Sequence, residues 1–64
     1  YGGLEAALAK LHSDYRVPLL LFYFDGHSTR TIAETLGTTQ AAVQARLSRG
    51  RKQLRRLLRA EEDE

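Results

Sequence analysis

The sequence predicts an all-α fold: a four-helix domain with a C-terminal helix-turn-helix and a long recognition helix. Three observations predict it. Apolar residues recur at helical spacing, first Leu4, Leu8 and Leu11, then Val43, Leu47, Gly50, Leu54 and Leu57, each stepping by three or four. No stretch alternates apolar and polar residues with the period of a half-buried strand. Two helical patterns, Ser28 to Leu36 and Gln40 to about Ala60, are separated only by Gly37, Thr38 and Thr39, the short turn that this motif requires.

The first element follows from Leu4, Leu8 and Leu11, with Ala6, Ala7 and Ala9 adding helix propensity, and should cover residues 3 to about 12. Ser13 or Asp14 can cap a second helix carrying Val17, Leu19, Leu20, Leu21, Phe22 and Phe24, apolar on most of its surface and expected at the centre of the core. Tyr15, Phe22, Tyr23 and Phe24 are read as packing residues, with one exposed member free to meet a protein partner. Pro18 lacks an N–H and clashes with the carbonyl four residues back, so it should lie in a loosened first turn, with regular helix from no earlier than about Asp14. Asp25 and Gly26 should stop this helix, Gly26 in the left-handed conformation, and Ser28 or Thr29 should cap the third.

In the turn that follows, Ala33 is small enough for close helix approach, Gly37 can take the left-handed conformation that ends helix three, and Val43 anchors helix four. Thr39 is its expected N-cap. Neither Ser28 nor Thr29, the candidate caps of helix three, is followed by Glu or Gln three residues on, so a reciprocal capping box is missing. Arg46 lies near the buried seam and is expected to pack by its stem and pair with Glu34. The whole domain is expected over residues 1–60, with residues 61–64 as an acidic, frayed tail, because acids are badly placed at a helix C-terminus.

Composition bounds the function. Sixty-four residues bury only about 60% of their unfolded surface, too little for a sizeable enclosed active site. There is no cysteine, hence no disulfide framework and no thiolate metal site. His12 and His27 stand near helix ends without a ligand partner at metal spacing, so capping or solvent roles are expected, and no cofactor is. Asp14, Asp25 and Glu34 have no nucleophile or base in reach, and catalysis is not expected. The longest apolar run, Val17 to Phe24, is eight residues, well short of the ~20 that span a membrane. The chain opens Tyr-Gly-Gly without Met, so a piece of a longer, cytoplasmic protein is expected.

Charge is unevenly placed. Residues 1–45 hold three Lys/Arg and four Asp/Glu, residues 46–60 hold seven Lys/Arg and no acid, and residues 61–64 are all acidic, within a net charge of +2. A basic stripe confined to one helix suits a polyanionic partner. On a helical wheel Gln44, Ala45, Ser48, Arg49 and Lys52 fall away from the apolar seam. Gln and Arg have the forked geometry that reads base edges, whereas Lys52, Arg55, Arg56 and Arg59 suit phosphates. Together with Thr39, Gln40 and Arg51, these residues form the expected DNA-binding set: Thr39, Gln40, Gln44, Ala45, Ser48, Arg49, Arg51, Lys52 and Arg55.

The segments LHSDYRVPLLLFYFDGHSTRTIAETLG and TTQAAVQARLSRGRKQLRRLL resemble region 4 of bacterial RNA polymerase sigma factors, especially the extracytoplasmic-function group. Its pattern runs through a Tyr-Arg pair, an apolar helix, an acidic-Gly turn, Ile-Ala-Glu, Leu-Gly, then Val, Arg-Leu, Arg-x-Arg and Leu. The resemblance covers Leu4 to about Leu58. It implies that the last helix enters the major groove of the −35 promoter element, with Gln44, Ala45, Ser48, Arg49 and Arg51 facing DNA. It also implies docking on the flap of core RNA polymerase in the bacterial nucleoid, and an anti-sigma factor as a further partner. The chain departs from the family where Thr31 replaces Glu, Ala41-Ala42 replaces Gly-Thr, and Gln44 replaces a frequent basic residue, which leaves the bases recognised open. Two other readings remain: a protein-interaction module for an anti-sigma factor or polymerase with weak DNA binding, and the helix-turn-helix output domain of a response-regulator type transcription factor. The second pairs a shorter recognition helix with a dimerising one.

Overall fold

The computed structural model describes the backbone of residues 2–62 and the side-chain surroundings of residues 3–60. Within these residues the chain builds four helices: α1 (Gly2–Lys10), α2 (Ser13–Tyr23), α3 (Thr29–Leu36) and α4 (Gln40–Glu62). The first three all pack on α4, and α2 also meets α3. The 23 residues of α4, at about 1.5 Å each, account for most of the 38 Å long axis of the molecule.

The core is small. Leu11, Leu19, Ile32, Ala33, Val43 and Leu47 are buried together, and Tyr15, Leu21, Phe22, Leu36, Leu54 and Leu57 pack around them half-buried. Helices α2, α3 and α4 contribute their periodic apolar residues to this cluster, as the spacing predicts; Leu11 joins it from the junction just after α1, whose own buried residue is Ala7, with Leu4 and Leu8 half-buried. Gly50 marks a close approach. A Cβ there would stand 3.1 Å from Leu19 Cδ1 and 3.2 Å from the Tyr15 Cβ, so α2 crosses α4 where α4 has no side chain.

Local chemistry sets the helix ends. Between α1 and α2, His12 is the N-cap: the Asp14 N–H donates to its Nδ1 at 3.1 Å, and the Asp14 carboxylate lies 3.7 Å away. This corrects the assignment of Ser13 or Asp14 as the cap and agrees with the capping role expected for His12: the helix starts one residue earlier, and its second amide, that of Asp14, meets the imidazole. Arg16 reaches back across the junction, its Nη1 within 3.2–3.4 Å of the carbonyl oxygens of Leu8, Ala9 and Leu11. A cation thus satisfies the exposed carbonyl end of α1.

Pro18 is a second correction. It lies in the second turn of α2, not the first, and is fully buried. The missing N–H would have met the carbonyl of Asp14, itself in the first turn, where the carbonyl can tilt outward. The start of the helix is also tightened, with both the Tyr15 and Arg16 N–H groups donating to the His12 carbonyl, at 3.0 and 2.9 Å. Helix α2 then stops at Tyr23, short of Asp25, although Gly26 does take the left-handed conformation (φ +71°) in the following turn. Val17 and Phe24 prove exposed, at 37% and 65%, and Tyr23 at 54%, so α2 is apolar on more sides than the core can cover.

Ser28 caps α3 by accepting from the Thr31 N–H at 3.1 Å, and its own hydroxyl donates to Thr31 Oγ1 at 3.0 Å. Thr31 thus partly fills the place of an absent glutamate. At the other end Gly37 is left-handed (φ +68°), and the Thr38 and Gly37 N–H groups return to the Ala33 and Glu34 carbonyls in a Schellman arrangement. Helix α4 runs two residues past Ala60, to Glu62; the expected fraying of Asp63 and Glu64 lies outside the described residues.

Replacing Gly50 tests the crossing. Gly50→Ala should leave stability nearly unchanged in urea melts, since roughly 1 kcal/mol of helix propensity offsets the tight contacts. Gly50→Leu should cost about 1–3 kcal/mol or more by forcing α2 outward.

Candidate nucleic-acid interface

Three helices cover one side of α4 and leave the other open. Val43, Leu47 and Gly50 are buried, with Leu54, Leu57 and Leu58 half-buried after them. On the open side Gln40, Ala41, Gln44, Ala45, Arg49, Lys52, Arg55, Arg56 and Arg59 are exposed. Positions 41, 45, 48, 52, 55 and 59 step by four and three, so the outward face is one continuous row along the helix. It is neutral and small-sided over its first two turns, then strongly cationic.

The expected interface residues divide into three groups. Gln40, Gln44, Ala45 and Arg49 stand exposed on or beside the row, while Ser48 is half-buried. Lys52 and Arg55 join Arg56 and Arg59 around an open concavity of about 310 Å³ lined by these four cations. Their spacing of three, one and three places them on one face, and no acid lies among residues 46–60 to neutralise them. Thr39 and Arg51 are already engaged within the protein. Thr39 Oγ1 accepts from the Ala42 N–H at 3.1 Å as the N-cap of α4, and the Arg51 Nη1–H donates to Tyr23 Oη at 2.9 Å. Tyr23 is the residue of this region that sequence spacing did not find: it lies 28 positions from Arg51, and only the crossing of α2 over α4 brings the two together.

Arg46 sits as its position near the seam implies, half-buried, beside Ser13, Asp14, Val17, Pro18 and Leu36 around a concavity of about 160 Å³. Its expected pairing with Glu34 is not made. Glu34 instead meets Arg30, its neighbour one turn earlier on the same helix, at 3.4 Å. Among the described residues, no group of three or more His, Cys, Asp or Glu converges on a metal-sized site, and no helix is long and apolar enough to cross a membrane.

Residues 1–54 match the family Sigma-70, region 4, which takes in α1–α3 and the first two-thirds of α4. The chain belongs to the Sigma-70 region 4 family. That family is a non-enzymatic one whose general task is promoter DNA binding and docking to RNA polymerase in transcription initiation. No solved structure matches the chain significantly. The uninterrupted α4 differs from the arrangement expected of a response-regulator output domain, in which a shorter recognition helix is followed by a separate dimerising one.

The two uses of Thr39 can be separated. Thr39→Ala should lower stability by about 0.5–2 kcal/mol in denaturant melts through loss of the cap, and Thr39→Ser should restore most of it. An unchanged midpoint for Thr39→Ala would show that the cap contributes nothing.

Proposed function

We propose that this domain is a region 4 of the extracytoplasmic-function type, which lays the N-terminal half of α4 in the major groove of a −35 promoter element and docks on the flap of core RNA polymerase. The observation that carries this reading is the open face of α4. A helix about 10–12 Å across fits a major groove about 12 Å wide, and here the outward side of such a helix is exposed along its length except at the half-buried Ser48.

Along that face the chemistry changes in the direction that groove binding needs. Gln40, Gln44 and Arg49 carry donors and acceptors suited to base edges, and the small Ala41 and Ala45 allow the helix to sit deep. Further along, the groove curves away from a straight helix, and Lys52, Arg55, Arg56 and Arg59 are placed for backbone phosphates, which set register and supply most of the affinity. Val17 on α2 and Phe24 just past its end, both uncovered, supply apolar surface for docking to polymerase.

The experiment is a salt titration of binding to duplex DNA between about 50 and 200 mM salt. With about four phosphates neutralised, log K should fall with log salt at a slope of about −4. Arg49→Ala should cost about 1–3 kcal/mol and relax preference at one base position. A salt response close to flat would remove the DNA-binding mechanism.

A further inference from the structure

We propose that Tyr23 is a positioning residue for DNA binding, holding the Arg51 guanidinium ready for a backbone phosphate; this rests on the DNA-binding reading above. Arg51 is fixed at both ends. Its backbone follows Gly50, where α4 is pressed against Tyr15 and Leu19 of α2, and its guanidinium donates to Tyr23 Oη at 2.9 Å. The Tyr23 ring is itself held edge-on against Phe22, with centroids 5.0 Å apart and planes at 84°, and Phe22 packs on the core. The hydroxyl is therefore a fixed point of the scaffold.

This bond satisfies no buried group. Tyr23 is 54% exposed and Arg51 is exposed, so water could serve both partners, and the bond adds little to folding. Its consequence is for the free side chain. An arginine on a surface helix samples many rotamers, and ordering it on binding opposes association. Tyr23 removes part of that ordering in advance while using one of the five guanidinium N–H donors, leaving four for a ligand.

The neighbours of Arg51 identify the ligand chemistry. Gln44, Ser48, Arg51 and Arg55 step by four, three and four, so they form one row at the flank of the open face. A planar, bidentate donor at the flank of a helix lying in a groove meets the phosphates of the groove wall. Tyr23 thus links α2, which carries no residue of the outward face, to the DNA contact.

The test is a double-mutant cycle on the full chain, with duplex binding at one fixed salt concentration and thermal melts for wild type, Tyr23→Phe, Arg51→Ala and the double variant. Tyr23→Phe keeps the ring and its contact with Phe22, and should melt within ~2 °C of wild type. It should bind DNA about three- to tenfold more weakly, and the loss should shrink to less than about twofold when Arg51 is already Ala. Unchanged binding by Tyr23→Phe, or an equal loss in both backgrounds, would overturn the proposal. Tighter binding would also overturn it, showing that the bond holds Arg51 back from DNA. A wild type without salt-sensitive binding would bring down the DNA reading itself, whereas salt-sensitive binding indifferent to Tyr23 would bring down this inference alone.

Discussion

Helix α2 packs on α4 where position 50 has no side chain. A Cβ at Gly50 would stand 3.1–3.2 Å from Leu19 and Tyr15, so alanine asks the neighbours to give by a few tenths of an ångström and a larger side chain pushes the two helices apart. Much depends on that approach. It seals Leu19 into the core, it lets Pro18 and Tyr15 pack where α2 begins, and it brings the far end of α2, with Tyr23, beside Arg51. Glycine in a helix interior costs roughly 0.5–1 kcal/mol relative to alanine, and here the return is a close helix crossing. Covering α4 from one side at this point is also what leaves its other side open.

That open side carries two chemistries on one rigid element. The first turns present amide and small side chains, and residues 52–59 present cations crowded without acids among them. Crowding of like charge works against the isolated domain and favours a polyanionic partner. The Thr39 cap fixes where the helix begins, and so fixes the register of every residue on the outward face. Folding and the proposed recognition are joined through α4: the period that turns Val43, Leu47 and Leu54 towards the core is the same period that aligns Ala45, Lys52 and Arg59 on the other side.

The parts legible in the sequence were those set by local rules. Helical spacing placed all four helices to within about two residues, and residue type alone gave the caps Gly37 and Thr39 and narrowed that of α3 to Ser28 or Thr29, of which Ser28 is used. The exposed row of α4 followed from the wheel. The misses are of two kinds. The cap of α2 was a local choice: a capping role is expected for His12 but the N-cap for Ser13 or Asp14, and the imidazole takes the Asp14 amide instead. The others depend on how the helices pack. Pro18 moved into the second turn because burial against the core and a tightened helix start make room for it there. Phe24 fell outside the core because the other helices leave that side of α2 uncovered. The Tyr23–Arg51 bond spans 28 residues and two helices, and no periodicity announces it.

The central claim is that the outward face of α4 reads duplex DNA. The most direct test is selection of duplexes from a randomised pool by this domain at two salt concentrations, with the enriched sequences determined. The account predicts a short enriched motif, with binding that weakens steeply as salt rises. Binding without enrichment, or no binding to duplex at all, would contradict it and leave docking to protein as the domain's main task.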